Sequence, residues 1–323
     1  MFTKCLKNSV DMTILITGIH GFVGSNLVAA LNIKHTIYGL DIVSPTKDGV
    51  EKTFTWNELE SLPTIDVVIH LAGKAHDTKN KTNTQVYFDI NTGLTQQIYD
   101  WFVKSPASKF IFFSSVKAAA DQVEGILTED VLPKPIGAYG ESKISAENYL
   151  LSQQLKFNIQ QKKTYILRPC MIHGPGNKGN LNLLYNFVKK GIPYPLGDFD
   201  NRRYFCSIDN MSYTITNLID KNIPEGIYNV CDDESLSTNQ LIALMAKTMN
   251  KPVRIWKWNK KMIYFLAEIG TKFHLPLNSE RLQKLTENYI VSNAKLKNAL
   301  EIEKMPFTAQ EGFEKTIKSF ENK

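Results

Sequence analysis

Between Met12 and about residue 170, short apolar runs alternate with stretches whose apolar residues recur every three or four positions. Residues 14–17 (ILIT) read as a buried strand and residues 22–31 as the helix after it. Residues 35–40 form a second strand, ending at Asp41. Residues 66–71 (DVVIHL) are an unbroken apolar strand closed by Ala72, Gly73 and Lys74, and His70 within it reads as a packed residue rather than a catalyst. Residues 85–104 carry a helical period through Val86, Ile90, Ile98, Phe102 and Val103, with Asn91 as a polar interruption. Residues 110–115 (FIFFSS) are the next strand. A loop holding Gly125, Pro133, Pro135 and Gly137 leads into a helix from 139 to about 155. Residues 165–167 make a further strand, closed by Arg168 and Pro169. Such alternation implies βαβ units around a parallel sheet.

Beyond residue 172 the pattern loosens. Residues 173–203 are rich in glycine and proline around one helix, 181–190. Residues 204–231 regain the strand and helix pattern, with 227–231 the last strand, and 237–323 read as mostly helical. The expected fold is α/β: a doubly wound parallel sheet with a smaller, mostly helical C-terminal region. Residues 1–11 are expected to be a loose tail, with Met12 a possible start. Residues 12–170 form the first unit, 204–231 return to it, and 171–323 hold the second region.

Composition narrows the class without naming a function. The chain has 323 residues, 43% hydrophobic and 22% charged, as in an ordinary soluble enzyme. Its four cysteines form no C-x-x-C pair and its six histidines show no ligand spacing, so no metal is expected. There is neither a secretory leader nor an apolar run of about 18 residues, which points to a cytoplasmic protein. Nothing suggests a nucleic-acid partner. Net charge is +6, concentrated between residues 251 and 300, where ten Lys and Arg face three Glu.

The first strand runs into the glycines at 18, 21 and 24. In this setting the first allows a tight turn, the second the approach of a pyrophosphate, and the third close packing of the helix on the strand. The open helix end, with Phe22 and Val23, offers N–H groups and a positive dipole end to phosphate. Asp41, seventeen residues after Gly24, stands where an acid accepts hydrogen bonds from ribose hydroxyls. It would repel a 2′-phosphate, and no Arg or Lys follows before Lys47, so the cofactor reads as NAD rather than NADP. The small residues Ala72 and Gly73 belong beside NAD, and Asn91 is placed on the same side. Lys74 either reaches a cofactor hydroxyl or is solvated.

A second constellation is Ser115 with Tyr139 and Lys143. Tyrosine and lysine at i and i+4 share a helix face, and a nearby ammonium favours the phenolate. Tyr139 is therefore expected to act as a base, kept partly ionised by Lys143, with Ser115 on the same substrate oxygen. Tyr185 and Lys189 show the same spacing. Tyr185 lies mid-helix with no serine-ended strand before it, and it reads as structural.

The glycine pattern, Asp41, the FSS strand end, YGESK at 139–143 and RP at 168–169 together resemble an extended short-chain dehydrogenase/reductase. The similarity is to the NAD-dependent epimerase/dehydratase group of nucleotide-sugar enzymes. That resemblance implies Ser115, Tyr139 and Lys143 as the catalytic triad. It also implies a sugar-nucleotide site in which the backbone at Asn180 and Leu181 holds the base and Arg202 pairs with the diphosphate, Arg203 being the weaker candidate. A homodimer is implied through the helices near 85–104 and 139–155. Two departures stand out. Lys117 replaces a Ser or Thr and could touch the sugar or shift Tyr139, and Cys170-Met171 replaces Phe-Asn. SSVK, RPCMIHGPGNKGNL and PLGDFDNRR are closer to a bacterial polysaccharide branch acting on N-acetylated hexosamines, some carried on a lipid diphosphate.

Lipid carriage gives residues 253–273 (VRIWKWNKKMIYFLAEIGTKF) a second reading. They form either a helix packed on the substrate region or on a dimer partner, or an interfacial amphipathic helix at an anionic membrane. The expected function is NAD-dependent 4-epimerisation of a diphosphate-linked hexose or N-acetylhexosamine. The alternatives are a 4-keto reductase using the same triad and a non-catalytic NAD-binding scaffold.

Overall fold

In the computed structural model, residues 11–75, 83–157, 161–177, 180–273 and 278–321 are described. The expected tail therefore lies outside the described residues, except for Asp11. The first half of the chain alternates as its pattern demands: β1 (Thr13–Thr17), α1 (Phe22–Leu31), β2 (Thr36–Asp41), β3 (Lys52–Thr55) and β4 (Val67–His70). There follow α2 (Thr84–Tyr87), a π-helical stretch (Phe88–Gly93), α3 (Leu94–Lys104), β5 (Lys109–Phe113), α4 (Val116–Ala119), β6 (Ile126–Leu127), α5 (Ala138–Phe157) and β7 (Lys163–Pro169). The second half holds β8 (Met171–His173), α6 (Asn180–Lys189), β9 (Phe205–Ser207), α7 (Ile208–Asp220) and β10 (Gly226–Val230). The chain then runs through α8 (Thr238–Thr248), α9 (Lys260–Lys272), α10 (Ser279–Thr286), β11 (Ile290–Val291), α11 (Ala294–Leu300) and α12 (Ala309–Glu321).

Seven strands form one sheet in the order β3-β2-β1-β4-β5-β7-β10, with every pairing parallel. The order reverses between β1 and β4. In doubly wound sheets, ligands bind in the crevice at the carboxyl ends of the strands at such a reversal.

Period-two alternation divides the core between the two faces. Ile14, Ile16, Val67, Ile69 and Ile111 pack on one face with Leu27 and Val28 of α1 and Met211 and Ile215 of α7. Leu15, Val68, Phe110 and Phe112 pack on the other with Ile98 and Phe102 of α3 and Ala146 and Leu150 of α5. A third core sits in the C-terminal region, where Leu181, Tyr185, Leu241, Met245, Ile263, Phe313 and Ile317 meet. β10 crosses back to the sheet and pairs with β7.

Three features depart from the sequence pattern. The expected 85–104 helix is broken by the π-helical stretch, inside which Asn91 is buried. The strand from 110 ends at Phe113, and Ser115 caps a short helix, α4, instead of ending the strand. The edge strand β3 is four residues long and carries no clear alternation.

Candidate active site

The glycine turn, the segment after β4 and the first turns of α5 converge at the crevice. Gly18 has φ +67°, and a Cβ there would stand 2.9 Å from the Ala72 nitrogen, so the turn lies directly against the end of β4. At Gly24 a Cβ would stand 2.7 Å from the carbonyl oxygens of Gly18 and Ile19, which fixes α1 on the turn. Gly21 is the N-cap of α1, Phe22 and Val23 are its first residues, and no side chain caps it. No acidic residue stands in its first turn. The N–H groups and the positive end of this helix are thus left for an anion. Asp41 closes the same rim, its carboxylate accepting from the His20 nitrogen at 3.1 Å and the Ile42 nitrogen at 2.8 Å. These features fit a dinucleotide: a backbone cradle for the pyrophosphate and an acid one strand along for the ribose.

Asn91 acts as a clamp beneath the segment after β4. Its Oδ1 accepts from the Lys74 nitrogen at 2.7 Å, and its Nδ2 donates to the Lys74 carbonyl at 3.1 Å and to Ser142 Oγ at 2.9 Å. It thereby ties Ala72, Gly73 and Lys74 to α5. A Cβ on Gly73 would lie 3.0 Å from Asn91 Oδ1 and 3.1 Å from Lys143 Nζ, so Lys143 reaches the floor of this cradle. The Lys74 ammonium lies 5.8 Å from the centre of the Tyr87 ring.

Ser115 and Tyr139 lie side by side, with Lys143 one turn further along α5. Ser115 is buried and accepts from the Lys117 nitrogen at 3.2 Å, and its hydroxyl lies near enough to the Tyr139 phenol to pull its pKa down. Gly140 makes this approach possible, because a Cβ there would meet the Lys117 carbonyl oxygen at 2.5 Å. Lys143 is buried and donates from Nζ to the Phe113 carbonyl at 2.8 Å. Burial lowers its pKa to about 8, against the pull of Glu147 the other way.

Tyr139 corrects one expectation. Burial pushes its phenol above the ordinary tyrosine value, and the nearby Ser115 hydroxyl only partly offsets this. Lys143 does not hold it partly ionised in this state. The reason is geometric: the ammonium is turned toward the Phe113 carbonyl, and burial of the phenol outweighs what favours its charged form.

Ser114 has a different task from Ser115. Its hydroxyl donates to Glu147, which also accepts from Arg168 through Nε at 3.0 Å and Nη2 at 2.6 Å. Glu147 and Arg168 are both fully buried. Glu147 follows Tyr139 and Lys143 by further four-residue steps on α5. That spacing is a signal available in the sequence, and sequence reasoning passed over it.

A match to the NAD dependent epimerase/dehydratase family spans residues 14–231. The chain belongs to this family. It is 31% identical over 330 aligned residues to the UDP-glucose 4-epimerase of Vibrio cholerae, covering 95% of each chain. It is 28% identical over 247 residues to the N-acetyl-alpha-D-glucosaminyl-diphospho-ditrans,octacis-undecaprenol 4-epimerase of Escherichia coli O157:H7, covering 74% of this chain and 73% of that one. Among solved structures, UDP-glucuronic acid 4-epimerase from Bacillus cereus in complex with UDP-glucuronic acid and NAD shares the fold. The TM-score is 0.74 at 22% identity, over 96% of this chain and 99% of that one.

Within this epimerase/dehydratase chain the remaining residues of interest separate. Lys117 is already engaged: Nζ donates to the Asp121 carbonyl at 2.7 Å and to its carboxylate at 2.9 Å, and lies 4.7 Å from the centre of the Tyr289 ring. Neither expected role, touching the sugar or shifting Tyr139, is supported by this placement. Arg202 is exposed, its backbone fixed by Asn288 and Tyr289. Arg203 is half-buried with Glu287 at 3.8 Å. Asn180 opens α6 and Leu181 is buried in the C-terminal core. Tyr185 packs edge-on against Phe320 at 5.2 Å, a core position. His70 is fully buried between the hydroxyls of Thr17 at 2.7 Å and Thr95 at 2.9 Å, and burial drives its pKa down to about 3. Among the described residues no cluster suited to a metal is present, and Cys170, Cys206 and Cys231 are free and buried.

Proposed function

We propose that this chain is an NAD-dependent 4-epimerase of a diphosphate-linked hexose or N-acetylhexosamine used in surface polysaccharide synthesis. The observation that carries the reading is the placement of the Ser115 hydroxyl beside the Tyr139 phenol at the crevice where Lys143 reaches the Gly73 cradle. NAD, when bound, supplies the hydride acceptor at C4 and the donor on return, and its charged nicotinamide ring favours the phenolate of Tyr139.

The chain's own residues do the rest. Gly18, Gly21, Gly24 and the start of α1 hold the pyrophosphate, and Asp41 holds the ribose. Ala72, Gly73 and Lys74, clamped by Asn91, flank the nicotinamide end. Tyr139 takes the proton of the 4-hydroxyl and returns it to the 4-keto sugar after the sugar has turned over. Ser115 holds the same oxygen. Lys143, with a pKa near 8, fixes the cofactor side of the pocket and is poised to exchange a proton near neutrality. The backbone at Asn180 and Leu181 receives the base or carrier, and Arg202 pairs with the diphosphate.

The carrier is a nucleoside diphosphate or a polyprenyl diphosphate, since the chemistry at C4 is the same for either. We infer a homodimer through α3 and α5, where Leu155 of α5 is 86% exposed.

The test is to incubate purified protein with UDP-GlcNAc, UDP-glucose and polyprenyl-diphosphate GlcNAc without reductant. The C4 epimer of at least one is expected. Stoichiometric consumption of NADH or NADPH with a 4-keto substrate, and no epimer, would replace this reading with a keto reductase.

A further inference from the structure

α9 has two apolar stripes. Ile263, Ala267 and Gly270 are buried on one side, where the helix meets α10 and the C-terminal core. Met262, Phe265, Leu266, Ile269 and Phe273 recur at i, i+3, i+4, i+7 and i+11, so they form a second line along the helix. Four of these five are exposed, Phe265 by 61% and Phe273 by 65%. The segment leading into α9 adds Trp256, 52% exposed, stacked on Trp258 with ring centres 6.3 Å apart. A helix that packs by one stripe needs no second one, and isolated surface apolars do not fall at helical spacing.

The charge around this stripe has one sign. Between residues 251 and 273 there are six basic residues and a single acid, Glu268. Lys251 and Arg254 are used locally, on the carbonyls of Lys189 and Gly191. Lys257, Lys260, Lys261 and Lys272 are exposed.

We propose that the outer face of α9, with Trp256 and Trp258, is a docking surface for an anionic lipid bilayer. Phe265, Leu266 and Met262 enter the acyl boundary, the tryptophans lie at headgroup depth, and the lysines meet lipid phosphates. A second copy of this chain suits the face poorly, because self-association would bring two basic rims together. The docking stands independently of the 4-epimerase reading.

The experiment is sedimentation of the full chain with vesicles of phosphatidylcholine alone or mixed with phosphatidylglycerol, at low salt. The mixed vesicles are expected to carry the protein down and the neutral ones to leave most of it in solution. Lys257→Glu combined with Lys261→Glu and Lys272→Glu should weaken binding by roughly a hundredfold or more. Met262→Ser with Phe265→Ser should weaken it by at least about tenfold. Neither variant should alter turnover of a soluble sugar nucleotide. Wild-type protein that stays in solution with anionic vesicles, or variants that bind as well as wild type, would overturn the proposal. So would a dimer in analytical ultracentrifugation that dissociates on Met262→Ser/Phe265→Ser substitution. Failure of the epimerase reading shows separately, as no C4 epimer from any substrate while vesicle binding persists.

Discussion

At Tyr139 the structure holds a neutral phenol in waiting. Burial raises its pKa, Ser115 lowers it, and burial wins. Tyr139→Phe removes the proton acceptor and leaves the ring, and turnover should fall by roughly 10²–10⁴ with the cofactor still bound. Comparison of kcat with cofactor content of the purified variant checks this. Glu147 and Arg168 form a buried pair at 2.6 Å. Removing one partner strands the other charge, so Glu147→Gln should cost about 3–5 kcal/mol in urea denaturation. His70 gives a pH signature of folding. Its folded pKa of about 3 lies below the ordinary histidine value of 6.5, so well above pH 6.5 its contribution is complete. As pH falls from there toward 3, the unfolded chain takes a proton that the folded one refuses. Stability should then fall by about 1.4 kcal/mol per pH unit from this group. Urea denaturation between pH 6 and pH 5 should approach that slope, and His70→Gln should remove it.

At the scale of elements, α4 and α5 touch so closely at Gly140 that a methyl group has no room. Gly140→Ala should cost about 1–3 kcal/mol and separate Ser115 from Tyr139, lowering kcat more than KM. Thermal denaturation and steady-state kinetics together check both parts. β1, α1, β2, β4, β5, α5 and β7 were legible because each has a plain apolar run or period and the glycine turn marks where β1 meets α1. The grouping of Ser115 with Tyr139 and Lys143 was legible because Tyr139 and Lys143 lie one turn apart on the helix that follows the FFSS run. Four-residue α4 is too short to show a period, and the π-helical turn around Asn91 arises from its clamp on Lys74 and Ser142. The fate of Lys117 depends on Asp121 and Tyr289, the latter far along the chain. The raised phenol of Tyr139 is likewise a product of burial, which spacing alone does not report.

At the scale of the whole molecule, two cores flank one sheet and a third supports the C-terminal region, with the crevice at the reversal between β1 and β4. NAD binding to the folded chain should raise the melting temperature, by an amount that grows with the logarithm of added cofactor. Gly18→Ala should abolish that rise, since φ +67° and the 2.9 Å approach to Ala72 leave no room for a side chain. The central claim is that a proton acceptor and a reversible hydride acceptor serve a single carbon within one closed cycle. It is tested most directly by supplying a turned-over sugar nucleotide carrying deuterium at C4 and locating the label by mass spectrometry and NMR. The account predicts that the epimer retains deuterium at C4 with no added reductant consumed. Epimer that has exchanged its label for solvent hydrogen, or deuterium that leaves in free NADH one for one with product, would contradict it.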